Sequence, residues 1–263
     1  MPPSKPSPAD RIETVSTSPT FTLSGVSEGP EGSGKTRLWL TAPDPIIAFQ
    51  TDPAGMRGVV EEAAAGKDVK VFKYDFNPKA VKDEKSAQLA AVDLWGRFRE
   101  EIEWAQTQCR TLFLDKEDFF WMLIRYARLP GGSSTANNYE PLYFEYRSLI
   151  YSMFEHEINF GCIRGQKEKW AQKPKPGDPT KMQGYGTGEM ISRGMKEIPE
   201  LLQIVFNHGW DKEEGYYVDI GKARVPGGAQ GLIPRGTRLR GPEIDFATIA
   251  QLSYPDSTPE DWQ

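Results

Sequence analysis

Eight consecutive residues, Gly29-Pro30-Glu31-Gly32-Ser33-Gly34-Lys35-Thr36, fit the pattern GxxxxGK[ST] in full. That spacing suits the binding of a phosphate chain. Glycines let the backbone curl until successive N–H groups, and the start of the following helix, converge on a β-phosphate. Lys35 then reaches the β- and γ-phosphates as a point charge, and the Thr36 hydroxyl ligates Mg2+. The pattern carries weight only between a strand and a helix. Here an apolar run, Phe21 to Ser27, precedes it, and a short helical stretch, Thr36 to Thr41, follows until Pro43 stops it. The competing reading, a chance glycine-rich turn, leaves that flanking pattern unexplained.

Phosphoryl chemistry also needs an acid to hold the metal through its water shell, and the end of a second strand is where such an acid fits. Thr111-Leu112-Phe113-Leu114-Asp115 has that form, so Asp115 is expected to serve the metal together with Thr36. Glu117 and Asp118 read either as water-orienting groups or as the acidic first turn of a helix, which the macrodipole favours.

Elements must hold these groups in place, and β-rich runs alternate with helical patterns along the chain. Strands are expected near Phe21 to Ser27, Ile46 to Phe49, Val69 to Tyr74, Thr111 to Leu114 and Asn159 to Ile163. Alternation of this kind gives an α/β fold, a mostly parallel sheet with helices on both faces. The longest helix is expected from about Ser86 to Gln108, with Leu89, Val92, Trp95, Phe98, Ile102 and Ala105 as a core stripe. A second covers Tyr139 to Glu157 and packs through Leu142, Tyr146, Ile150 and Met153. Arg128 to Asn138 and Ala171 to Gly194 follow neither period and read as long loops, which in compact domains are functional or disordered. Residues 1–19, where prolines mix with Ser, Thr and charge, read as a disordered leader; 20–250 form the domain, and 251–263 an acidic flexible tail.

The chain has 263 residues, with 32 Lys plus Arg against 37 Asp plus Glu and a formal net charge of -5, so any basic site is local. Cys109 and Cys162 are too few for a disulfide framework, and His156 and His208 stand alone, without the partners a zinc site requires. No stretch approaches 18 apolar residues and the start has no apolar signal region, so a soluble protein without a membrane partner is expected.

With the phosphate loop and Asp115 placed, residues 20 to 225 resemble the RecA-like P-loop ATPases encoded by bacteriophages, a group that includes single-strand annealing and recombination proteins. The resemblance implies a RecA-like core, ATP and Mg2+ as ligands, and single-stranded DNA as the substrate. It also implies a homo-oligomer with nucleotide at the subunit interface, working in the bacterial host cytoplasm. In Ile46-Ile47-Ala48-Phe49-Gln50-Thr51-Asp52-Pro53, Asp52 falls on the family's catalytic acid, usually Glu; Asp-Pro is equally a turn starter. Asn159 to Ile163 resembles the strand that ends in a polar sensor, a position taken by Gln166, whose amide would respond to the γ-phosphate.

In the resembling proteins a DNA-binding loop starts there. Here the following segment carries Lys167, Lys169, Trp170, Lys173, Lys175, Lys181, Tyr185 and Arg193 among glycines. Cations would meet phosphates while the aromatics stack on unpaired bases; the alternative is a solvated loop whose lysines serve solubility. Lys222 and Arg224, two apart on a strand, match a Lys-x-Lys pair that reaches a neighbouring subunit's nucleotide, or else they guard an exposed strand edge.

Two other functions share the phosphate loop. A small-molecule phosphotransferase would need an Arg-rich lid, for which Arg125, Arg128 and Arg164 are the available residues. A nucleotide-gated binding module with little turnover would suit Asp52 in place of Glu.

Overall fold

The computed structural model describes residues 21–51, 59–132, 139–176, 178–224 and 233–262. Four short strands are buried along almost their whole length: β1 (Ser24–Glu28), β2 (Ile46–Gln50), β4 (Thr111–Asp115) and β5 (Asn159–Arg164). Strands covered on both faces have no polar alternation, hence the apolar runs of β2 and β4, whereas β1 is buried through small residues, Ser24, Gly25 and Ser27 around Val26. With β3 (Val69–Lys73), β8 (Ile204–Asp211), β9 (Gly215–Ala223) and β10 (Arg238–Arg240) they make an eight-stranded sheet, ordered β10-β9-β8-β1-β5-β4-β2-β3. Only β9 runs against its neighbours, so the sheet is mostly parallel.

The helices lie in two layers. Leu112 and Leu114 face one cluster, built with α3 (Glu84–Gln106), α4 (Glu117–Arg128), α5 (Glu140–Glu155) and α6 (Ile198–Leu201). Phe113, between them, faces the opposite cluster with α1 (Lys35–Leu40) and α7 (Phe246–Ser253); α2 (Val59–Ala63) packs there too. Parallel register aligns the strands' carboxyl ends, with Glu28 opposite Arg164, Asp115 opposite Ile163, and Gln50 opposite Asp115. On the α1 side the Trp39 indole lies against β5 at Gly161, where a Cβ would approach it to 2.4 Å.

Several expectations need correction. Ala171 to Gly194 is not a loop: β6 (Gln166–Lys175) and β7 (Asp178–Ser192) pair as an antiparallel two-stranded ribbon separate from the main sheet. Its glycines and lysines show no alternation because neither face of the ribbon forms a core. Leu89 and Val92 are exposed on α3, and Ala87 and Ala91 take their places in a core stripe that continues, as expected, through Trp95, Phe98, Ile102 and Ala105. Residues 251–262 do not hang free. Helix α7 runs to Ser253, and Trp262 is 2% exposed among Phe21, Phe246 and Tyr254, with its indole N–H donated to Ser257 Oγ at 2.8 Å. Burial of one large aromatic outweighs the acidic, proline-broken composition. Arg128 ends α4 and Pro130–Gly132 forms a 3-10 turn. Asn138, the leader at 1–19 and Asp52 lie outside the described residues.

Candidate functional site

The phosphate loop leaves the carboxyl end of β1 and enters α1 at Lys35. Two positions require glycine. Gly29 has φ 148° and a Cβ there would come within 2.3 Å of His208 O, while Gly34 caps α1 at φ 82°. Ser33 is buried and its hydroxyl donates to Pro30 O at 2.8 Å, closing the turn. The Lys35 ammonium lies inside the loop, donating to Gly29 O at 2.8 Å and Pro30 O at 2.5 Å. Burial lowers its pKa, and the charges of Asp115 and Glu31 act in the opposite direction. Parallel register of β1 and β4 with β5 brings the loop and Asp115 to the same end of the sheet. Thr36 follows, half-buried in the first turn of α1.

Beneath the loop, β8 contributes His208, buried, with Nε2 3.1 Å from Ser27 Oγ. Burial, and then the charge on Lys35, push its pKa down to about 3, so the ring is neutral. Its Nδ1 is buried, and the Ser33 backbone beside the ring favours a proton there against the larger effect of burial.

Asp115 ends β4, 5% exposed, and its carbonyl accepts the Thr51 hydroxyl at 3.1 Å. Lys116 turns the chain with φ 68°, and α4 starts at Glu117. Glu117 is not a solvated helix start. It is fully buried, 3.4 Å from Arg164 Nε, and Arg164 Nη1 reaches Glu28 at 3.0 Å. Burial raises the Glu117 carboxyl to about 7 against the pull of Arg164. This Glu28–Arg164–Glu117 group ties the ends of β1, β5 and α4 together. Sequence reading missed it because the three residues are far apart in the chain, and the only local signal was an Arg ending an apolar strand.

Gln166 opens β6, opposite Ser192, one residue beyond Gly165, whose N–H donates to Asp118 Oδ1 at 3.4 Å. The ribbon therefore springs from the same sheet end as the phosphate loop. Lys167 and Arg193 are exposed near its base. Lys169 pairs with Glu189 at 2.8 Å, so part of the expected basic surface is neutralised within the ribbon. Lys173, Lys175 and Lys181 belong to β6 and β7 by their backbone. Trp170 is 69% exposed, its ring close to Gly184 on the neighbouring strand. Tyr185 pairs with Ala171 in the ladder, so the two aromatics lie on opposite faces of the ribbon, not on one stacking surface.

Lys222 and Arg224 sit elsewhere. Lys222 is opposite Val205, level with Val26 in the middle of β1, and β9 runs from there away from the phosphate loop. An irregularity between Val205 and Phe206 turns Lys222 toward α6, where its ammonium donates to Pro199 O, to Leu202 O at 2.9 Å and to Glu200 O at 3.3 Å. Arg224 Nη1 also donates to Glu200 O, at 3.1 Å. Within the chain, the two cations thus cap the last carbonyls of α6.

Among the described residues no three His, Cys, Asp or Glu side chains cluster as metal ligands. A Mg2+ held by one hydroxyl, one carboxylate through water and a ligand's own oxygens does not require such a cluster. No helix among the described residues is long and apolar enough to cross a membrane. What fold and site define together is an α/β protein with a strand, glycine-rich loop and helix unit at the carboxyl ends of a mostly parallel sheet. Neither a scan against models of protein families nor a search of curated proteins finds a match.

Proposed function

We propose that the chain binds ATP with Mg2+ at Gly29 to Thr36 and hydrolyses it as a RecA-like ATPase acting on single-stranded DNA, in recombination or replication of the phage type. The observation that supports this reading is that the phosphate loop and the buried Asp115 leave the same carboxyl end of the sheet, from β1 and β4, which are separated only by β5. The loop's N–H groups receive the phosphates, Lys35 turns from the loop carbonyls toward them, and Thr36 and Asp115 hold the metal. Mg2+ would supply charge neutralisation between the β- and γ-oxygens. The middle strand, β5, leads through Gly165 and Gln166 into the ribbon, which links the phosphate end to a surface bearing Trp170. Assembly into a homo-oligomer belongs to the same reading and rests on the resemblance alone.

The phosphotransferase reading loses its lid. Arg125 donates to Gly132 O at 2.6 Å, Arg128 pairs with Glu145 at 2.7 Å, and Arg164 is buried between Glu28 and Glu117. The test is ATP turnover with and without single-stranded DNA, in the unmodified chain and in Lys35→Ala. DNA-stimulated turnover that vanishes in a folded Lys35→Ala protein is expected; turnover unchanged by that substitution refutes the site.

A further inference from the structure

On α3 the guanidinium of Arg97 lies 4.6 Å from the centre of the Tyr74 ring, with Nε 3.3 Å from a Glu101 carboxylate oxygen. Glu101 also accepts the Tyr74 hydroxyl. A planar cation is thus held by a ring face and a carboxylate together, two attractions that are each modest in water and here act on the same group.

One turn further along α3 the same parts recur without the cation. Trp104 meets Phe72 of the edge strand β3 edge to face, with ring centres 5.9 Å apart and planes at 89°. Glu100 precedes Trp104 by four residues, the spacing that sets two side chains side by side on a helix. With Glu101 these residues bound a cavity of about 420 Å³. Core packing accounts for Phe72 but not for Trp104, which is 46% exposed and stands outside the buried cluster. Glu101 is engaged by Arg97 and Tyr74, whereas Glu100 is exposed and has no hydrogen bond or ion pair among the described residues. Lys70, on the same face of β3 as Phe72, pairs with Asp68 at 3.5 Å.

We propose that this cavity takes the guanidinium of an arginine presented by a partner protein, stacked on the Trp104 indole and paired through its fork with Glu100. Arginine suits it better than lysine, because a delocalised, weakly hydrated guanidinium stacks and pairs at once. The free carboxylate of Glu100 and the chain's formal net charge of -5 favour a basic partner and repel the phosphates of nucleic acid, so the occupant is protein. Tryptophan and arginine are also the residue types that dominate the energetics of protein contacts. The site is independent of the nucleotide reading: β3 is the outermost strand, and β2 separates it from β4, which ends in Asp115.

The experiment is a nuclear magnetic resonance titration of the full chain that follows the tryptophan indole N–H signals, the one missing from Trp104→Phe belonging to Trp104. The probes are blocked tripeptides in which glycine flanks arginine, lysine or citrulline, the last having the shape of arginine without its charge. The arginine peptide should move the Trp104 signal to saturation at lower concentration than the lysine peptide, and the citrulline peptide should leave it in place. Glu100→Gln, at an exposed position that leaves the fold intact, should weaken arginine binding about threefold, the scale of one exposed ion pair. A Trp104 signal moved equally by citrulline would reduce the cavity to an apolar contact and overturn the proposal. A signal that the arginine peptide does not move, or an affinity that Glu100→Gln leaves unchanged, would overturn it as well.

Discussion

The Ser27 hydroxyl lies 3.1 Å from His208 Nε2 and accepts the Trp39 indole N–H at 3.0 Å, so one buried oxygen joins β1, β8 and α1 directly under the phosphate loop. His208 is neutral because burial and the charge on Lys35 both oppose a proton there. The loop above and the core packing below therefore share a floor.

That floor should fail in acid. The folded imidazole titrates at about 3 against an ordinary 6.5, so its contribution to stability is complete above pH 6.5 and is lost as pH falls toward 3. Denaturation midpoints measured across this window for the unmodified chain and His208→Asn check it. The stability advantage of the unmodified chain should shrink steadily on acidification; a difference independent of pH would show that the ring is not held neutral.

Glu117 titrates with the opposite sign. Its carboxyl is raised from 4.5 to about 7, so stability is fully present below pH 4.5 and declines as pH rises through 7, where a second charge must be buried near Glu28 and Arg164. Relative to Glu117→Gln, the unmodified chain should lose stability between pH 4.5 and 7 and change little above that. A flat difference would place the ionised carboxylate at ease beside Arg164.

Asp115→Asn keeps the shape of the β4 end and removes its charge. Turnover should fall about a hundredfold, the usual scale for one electrostatic group at a reacting phosphate, while nucleotide affinity changes by only a few fold. Kinetics measured across Mg2+ concentrations should show the variant needing more metal. Identical Mg2+ dependence in the two proteins would move the metal-holding acid elsewhere.

Lys222→Ala with Arg224→Ala should cost about 1–3 kcal/mol of stability, because the carbonyls that end α6 lose charged donors. Turnover per folded molecule should persist. Mixing this variant with Lys35→Ala should give no activity beyond that of the Lys222 and Arg224 variant alone. Complementation above that level would reinstate an arm acting between subunits.

On the ribbon, charge and stacking can be separated. Neutralising Lys173, Lys175 and Lys181 together should flatten the slope of log affinity against log salt by about 0.7 for each phosphate that the protein no longer neutralises. Trp170→Ala should weaken single-stranded DNA binding by roughly 1–3 kcal/mol with that slope unchanged, since stacking releases no counterions. Titrations of a fluorescent oligonucleotide at several salt concentrations would read both. A slope untouched by the triple substitution would reduce those lysines to a solvated face.

What the sequence disclosed was local. Gly29 to Thr36 and the apolar run ending at Asp115 each lie within a few residues, and period and composition suffice to read them. The Arg164 brace required partners from β1 and α4, and the capping by Lys222 required a helix some twenty residues earlier, so no window along the chain contained either. The ribbon escaped because a two-stranded element outside the core has no apolar alternation to display. Trp262 escaped for the converse reason: one aromatic amid acidic residues carries no period, though it is buried.

Gly161 has no side chain, and the Trp39 ring occupies the place where one would be. Nothing compressible therefore separates α1, which begins with Lys35, from β5, which runs into the ribbon at Gln166. A close-packed junction of this kind has no slack: a small tilt of the helix has to be taken up by the strand, because neither surface has free volume into which it can yield. Stiffness between the two ends of the molecule's working face is thus set by a missing methyl group, and even alanine at that position would force the helix and the strand apart.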